Sequence, residues 1–218
     1  MFDNIDLVVV AFASGFWTTV WVSVLSFGIA LIVGGILAIL HVSPAAPAKW
    51  LAAVYTALFR NVPLLAILII LRFGSPYVGI SLPTWAWALI GLGGYTGAFV
   101  GETLRSGINS IPLGQAEAAR SIGLTFGQSL RKVILPQAIR AVVPPLGTLF
   151  TALVKNSSLV LVIGLSEVSA MSKRLINDTD HHYNIWLVII GIAICYLIIN
   201  LPISYYIRVA ERRAAFAR

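Results

Sequence analysis

The chain has 218 residues, of which 59% are hydrophobic and 11% charged, with a mean hydropathy of +0.92. Soluble domains carry about 25% charged residues, so a soluble globular protein is excluded and the bilayer is the expected solvent. Fifteen Lys and Arg against eight Asp and Glu give a net charge of +7; in a membrane chain such an excess is read by its distribution between the two faces, and no nucleic-acid partner is expected.

A spanning helix needs about 20 mostly apolar residues. The chain opens with Asp3 and Asp6 ahead of a span-length apolar run, not with the basic stretch of a cleaved leader, so the first span is expected to be retained. Leu7 to Ala48, Phe73 to Gly101 and His181 to Ile207 reach that length without one Asp, Glu, Lys or Arg. Leu51 to Leu71 and Ile134 to Val154 reach it with one internal arginine each, Arg60 and Arg140. We therefore expect an all-α membrane protein, a single domain over 1–218, with about five spans near 12–40, 51–72, 85–107, 134–154 and 184–207. The lone Cys195 lies in the last run, has no intrachain disulfide partner and is expected to pack.

With the N-terminus outside, the inner face receives Lys49, Arg105, Arg120, Arg131, Lys132, Arg140, Arg208, Arg212, Arg213 and Arg218. The outer face then receives only Arg72, Lys155, Lys173 and Arg174, together with Asp3, Asp6, Asp178 and Asp180. The positive-inside rule favours this orientation, N-terminus out and C-terminus in. Trp17, Trp21, Trp50, Trp85, Trp87 and Trp186 fall near span ends and read as interfacial anchors. Gly97 and Gly101, with Gly28, Gly34 and Gly35 in the first span, allow close helix approach.

Residues 108–135, INSIPLGQAEAARSIGLTFGQSLRKVIL, are too polar to span and too patterned for an unstructured loop. Pro112 suits a first helical turn, Gly114 to Ser121 favour helix, and Gly123 fits the left-handed residue after a helix. Thr125 and Gln128 form a capping box for a second helix starting near Phe126, with apolar Phe126, Leu130, Val133 and Ile134 at helical spacing and Pro136 changing the direction. Periodicity alone leaves two readings of this hairpin, an amphipathic element on lipid or a docking element.

Its spelling is more specific. Glu117-Ala118-Ala119, three residues, Gly123, nine residues and Val133-Ile134-Leu135-Pro136 resemble the EAA loop of type I ABC importer permeases, with Val133 for isoleucine. Arg60-Asn61-Val62-Pro63-Leu64-Leu65 resembles the R-G-T-P-L-L segment of the polar amino acid permeases, with Asn61 and Val62 as departures. Tyr95 to Ile108, and Lys155 to Leu159 followed by Val162-Ile163-Gly164, resemble two more of their stretches. The resemblance implies a cytoplasmic coupling loop over 108–133, with Ala116, Glu117, Ala118, Ala119, Arg120 and Gly123 meeting a cytoplasmic ABC ATPase dimer, and an extracellular loop over 156–183.

The same resemblance implies transport without catalytic residues. The chain has no phosphate-cradling G-x-x-x-x-G-K-[ST] loop, so ATP and Mg would be bound by the partner ATPase and no cofactor by this chain. A second permease, a homologue or another copy, would complete the pathway in the bacterial cell membrane, and an extracellular binding protein would deliver substrate. Arg60, Glu102, Lys155 and Asn156 are the pathway candidates. Charges inside spans face a bundle interior or a polar route, and the competing reading is that Arg60 and Glu102 pair with each other and hold helices together. In family members that carry cationic substrates an aspartate stands at the place of Asn156; its absence points to a neutral or acidic amino acid, glutamate first and glutamine second.

The outer stretch Ser166 to Tyr183 carries Lys173, Arg174, Asp178, Asp180, His181 and His182, either contacts for the binding protein or solvated charges. His181-His182 share no helix face, and no metal site is expected. Alternatives are a methionine importer permease and an ion-coupled carrier or channel. A purely structural membrane subunit is a further one.

Overall fold

The computed structural model describes residues 5–179 and 183–215; Asp3, Asp180, His181, His182 and Arg218 lie outside them. Every regular element among the described residues is helical. Helix α1, Ile5–Val42, is continuous because it holds no proline and is apolar around its whole circumference. Its 38 residues span about 57 Å, more than the roughly 30 Å hydrocarbon layer, so it projects beyond the expected 12–40.

Helix α2, Ala46–Asn61, ends where Pro63 forces Val62 into extended backbone (φ −97°, ψ 130°). Helix α3, Leu64–Ile69, then runs through a π turn at Ile70–Gly74 and a 3-10 turn at Ser75–Val78. The two halves meet at 102°. The span expected over 51–72 is therefore broken at Pro63, which has no N–H to continue the ladder.

Helix α4, Thr84–Asn109, lies along α1 and also touches α2, α3 and α7. Gly91, Gly93, Gly94, Gly97 and Gly101 are all buried on it. A Cβ at Gly97 would stand 2.8 Å from Val33 Cγ1, and one at Gly101 2.9 Å from Leu37 Cβ; Gly34 of α1 approaches Val100 with equally little room. These glycines let the two backbones close in, as small residues do in membrane interfaces. Gly28 and Gly35 face open space, so of the α1 glycines expected at the interface only Gly34 serves it. Trp87 also departs from expectation: it is 5% exposed, in a core cluster with Leu64, Leu68, Leu92, Val160 and Ile163. Two residues from exposed Trp85, it points to a different side of the helix and cannot anchor at the interface.

Helices α5 (Leu113–Ser121) and α6 (Phe126–Ser129) form the polar hairpin, and α6 passes through a π turn at Leu130–Ile134 into α7, Leu135–Asn156. Pro136 was expected to redirect the chain; instead Phe126–Ile163 is one long helical run. Pro136 sits in the first turn of α7, where the intrahelical N–H is dispensable, and the wider π turn precedes it. A 3-10 turn, Ser157–Ile163, ends at left-handed Gly164 (φ 90°). Helix α8, Val168–Ile176, packs on α1 and α9, and α9, Ile185–Ala215, packs back on α7. A second cluster of Val8, Phe12, Val168, Leu175, Val188 and buried Cys195 joins α1, α8 and α9.

By length and composition three helical runs are fit to cross a membrane, Ile5–Val42, Phe126–Ile163 and Ile185–Arg212, or four with the bent pair Ala46–Asn61 and Leu64–Val78 as one. Helix α4 is long enough, yet its glycines lower its hydropathy: its partner is protein more than lipid.

Candidate functional site

The hairpin is locally determined. Its first helix begins one residue later than Pro112, which occupies the N-cap instead (φ −58°, ψ 136°). It ends at Gly123 (φ 84°), whose N–H donates to Arg120 O at 2.9 Å while Leu124 N–H donates to Ala119 O at 3.1 Å. Glycine has no Cβ to strain this left-handed turn. The capping box is complete: Gln128 N–H donates to Thr125 Oγ1 at 3.4 Å and Thr125 N–H to Gln128 Oε1 at 2.9 Å. Gln137 of α7 braces the unit, donating to Val133 O at 2.9 Å and reaching Gln115 Oε1 at 3.5 Å.

Within this frame Ala119 is buried inward, Ala116 is half-buried, and Glu117, Ala118, Arg120 and Gly123 are exposed. Three large apolar side chains are also left bare: Leu113 at 82%, Ile122 at 78% and Phe126 at 77% exposure. The structured polar hairpin thus leaves three large apolar groups uncovered. Sequence reasoning placed Phe126 on the apolar period of the second helix but missed Leu113 and Ile122, which lie off that period.

The intramembrane candidates separate. Arg60 is exposed, with its guanidinium 5.7 Å from the Phe99 ring centroid. Glu102 pairs with Arg105, one turn along α4, through two bonds of 2.5 and 3.1 Å. The Arg60–Glu102 pair considered from sequence is thus replaced by an i,i+3 pair, which closes without bringing two helices together. Lys155 and Asn156 do come together, lining a cavity of 450 Å³ between α7 and α9 with Thr148, Thr151, Ser204, Arg208 and Glu211. Glu102 lines a 690 Å³ cavity with Ser106, Ser110, Arg140 and again Glu211. The shared Glu211 makes the two cavities neighbours along one groove. Two cations, a carboxylate and several hydroxyls around the smaller cavity can replace the water shell of a zwitterion. Arg208 and Glu211 were missed as groove residues; only the fold brings them opposite Lys155.

Against the N-terminal half of α9, the Glu167 side chain is fully buried, at 0% exposure. It caps α8 by accepting from Ser169 N–H and Ala170 N–H, each at 2.9 Å, and accepts the Tyr196 hydroxyl at 2.9 Å. Burial pushes its carboxyl above the ordinary glutamate range, opposed by these donors. Among the described residues no group of three His, Cys, Asp or Glu is placed to hold a metal.

Among the described residues, an all-helical bundle with three or four membrane-fit runs, an exposed polar hairpin and a groove defines a multi-pass membrane subunit. Residues 30–216 match the family model described as binding-protein-dependent transport system inner membrane component. A protein of Bacillus subtilis named as a probable glutamine ABC transporter permease is 34% identical over 98% of this chain and 95% of its own length. The glutamate transport system permease of Corynebacterium glutamicum is 37% identical, covering 91% and 92%, and the glutamate/aspartate import permease of Escherichia coli 33%, covering 92% and 85%. Among solved structures, a crystal structure of an amino acid ABC transporter with histidines overlays with a TM-score of 0.88 at 30% identity, covering 98% of both chains. The chain belongs to the binding-protein-dependent transport system inner membrane component family, and within it is a polar amino acid ABC importer permease of the bacterial plasma membrane. Its relatives are transport components, not enzymes.

Proposed function

We propose that this permease moves glutamate or glutamine inward by alternating access, driven by a separate ATPase dimer that docks on the α5–α6 hairpin. The observation that carries this reading is the hairpin itself: a braced turn at Gly123 that offers Glu117 and bare Leu113, Ile122 and Phe126 to a partner. Small Ala118 lets that partner approach closely, and Glu117 supplies an acceptor for one of its donors. ATP and Mg belong to the ATPase, while a binding protein delivers the amino acid to the opposite face.

The charge asymmetry supports an N-terminus outside and a C-terminus inside. We count five spans, taking the bent α2–α3 pair as one and adding α4, whose glycine-rich face is satisfied by α1. One such chain supplies half a pathway, completed by a second copy or a homologous permease. Lys155, Asn156 and Glu102 line the route, with Arg60 beside it on α2. The substrate assignment draws on the names of the relatives and on neutral Asn156, which leaves Lys155 and Arg208 uncountered by an added acid at that position and so favours a neutral or acidic cargo.

The test is ATP hydrolysis by the permease reconstituted with its ATPase and binding protein, with glutamate or glutamine, in wild type, Glu117→Lys and Gly123→Asp. Loss of substrate-stimulated hydrolysis in both variants, with membrane insertion intact, is the expected result. Wild-type stimulation in both would sink the docking role of the hairpin.

A further inference from the structure

Glu167 has no task in the reading above, yet it is a completely buried carboxylate in a largely apolar bundle. Burying such a group is costly unless it is well bonded, and here its bonds join separate elements. Its backbone neighbour closes on α1: Val168 N–H donates to buried Thr19 Oγ1 at 3.3 Å, and a Cβ on Gly15 would stand 3.1 Å from the Glu167 carbonyl carbon. Its side chain closes on α9 through Tyr196, whose hydroxyl also lies 3.0 Å from Ser169 Oγ.

Tyr196 stands at the head of a row. Asn200, Ser204 and Arg208 follow it at intervals of four residues, so the four form a slowly winding stripe along α9. Asn200 is buried and donates to Tyr196 O at 2.8 Å, whereas Ser204 and Arg208 line the 450 Å³ cavity. The side of α9 away from this row is apolar and exposed, with Ile198, Tyr205 and Tyr206. Greasy contacts of that kind resist rotation of a helix only weakly, because lipid accepts any apolar orientation. Directional bonds from Tyr196, in the N-terminal half of α9, do resist it.

We propose that Glu167 is a positioning residue for transport: through Tyr196 it fixes the rotation of α9 about its own axis, and so keeps Ser204 and Arg208 facing the groove. The carboxylate does not touch the cargo. This role rests on the groove being the transport route, as proposed above, and it gives the α8 helix a mechanical task as the arm that carries Glu167 between α1 and α9.

The experiment uses the assembled transporter, with Cys195→Ala as background and single cysteines at Ser204→Cys or Tyr205→Cys. A charged maleimide reads which position faces water, and uptake of labelled glutamate and of labelled glutamine is followed in parallel. Tyr196→Phe keeps the ring and the carboxylate cap of α8 and removes the hydroxyl's bonds to Glu167 and Ser169. It is expected to lower the Ser204 to Tyr205 labelling ratio several-fold, the scale set by one lost hydrogen bond, and to lower uptake. Ser169→Ala, which removes only the second of those bonds, is expected to leave labelling and uptake unchanged, and a loss as large as in Tyr196→Phe would overturn the proposal. Adding Glu167→Gln to Tyr196→Phe should then lower uptake no further. An unchanged ratio in assembled Tyr196→Phe would overturn the proposal and leave Glu167 a cap of α8. A reduced ratio with wild-type uptake would overturn it as well, since rotation would then not matter for transport. If the unmutated transporter carries neither amino acid, the cargo assignment fails while the labelling ratio still reports on the latch.

Discussion

At Gly123 the backbone is left-handed and nothing stands within 4 Å of where a Cβ would be. A substitution there is therefore penalised by conformation alone, by about 1–2 kcal/mol for an L-residue. Gly123→Ala should keep the permease in the membrane while loosening the α5–α6 turn. Faster amide exchange at Leu124, together with partial loss of substrate-stimulated ATP hydrolysis, is the expected signature. Much of this residue-scale detail was legible in advance, because a capping box and a left-handed glycine are decided within six residues of chain. Tyr196 and Glu167 were not legible: they are 29 positions apart, and neither belongs to a local pattern that announces the other.

Helix identity was legible wherever lipid is the neighbour and became harder to read where protein is. Long apolar stretches in α1 and α9 announce themselves, whereas the break at Pro63 turns what reads as one span into two pieces at 102°. Proline marks that break in the sequence, but the direction taken afterwards depends on what α3 packs against. The α1–α4 seam yields a sharper test. Gly97→Leu forces a side chain into Val33 and should destabilise the permease by roughly 1–3 kcal/mol. Gly35→Leu, on an open face, should be near neutral. Thermal unfolding in detergent of the two variants, one inside the α1–α4 seam and one on an open face of α1, measures the contrast; equal losses would refute the close-approach account.

For the molecule as a whole, the groove gathers groups from α4, α7 and α9 that no stretch of sequence holds together. Family spelling pointed to Lys155 and Asn156, but Arg208 and Glu211 enter only through the packing of α9 on α7. If the two cations receive carboxylates, Lys155→Ala and Arg208→Gln should each raise the uptake KM for glutamate more than that for glutamine. Competition assays on reconstituted transporter check this directly. Equal effects on both would indicate recognition of the shared α-carboxylate alone.

The glycine-lined helix α4 has a consequence for how the chain is made. A segment whose surface is completed by another helix offers the insertion machinery less greasy area than its length suggests, so α4 should partition poorly when presented alone. With α1 already in the bilayer, the same segment finds a partner that accepts its bare backbone. Biogenesis is then ordered, and α1 acts as a template for α4. A glycosylation-reporter assay comparing α4 alone with α4 preceded by α1 should show insertion rising when α1 is present, and Gly34→Leu in α1 should remove that gain.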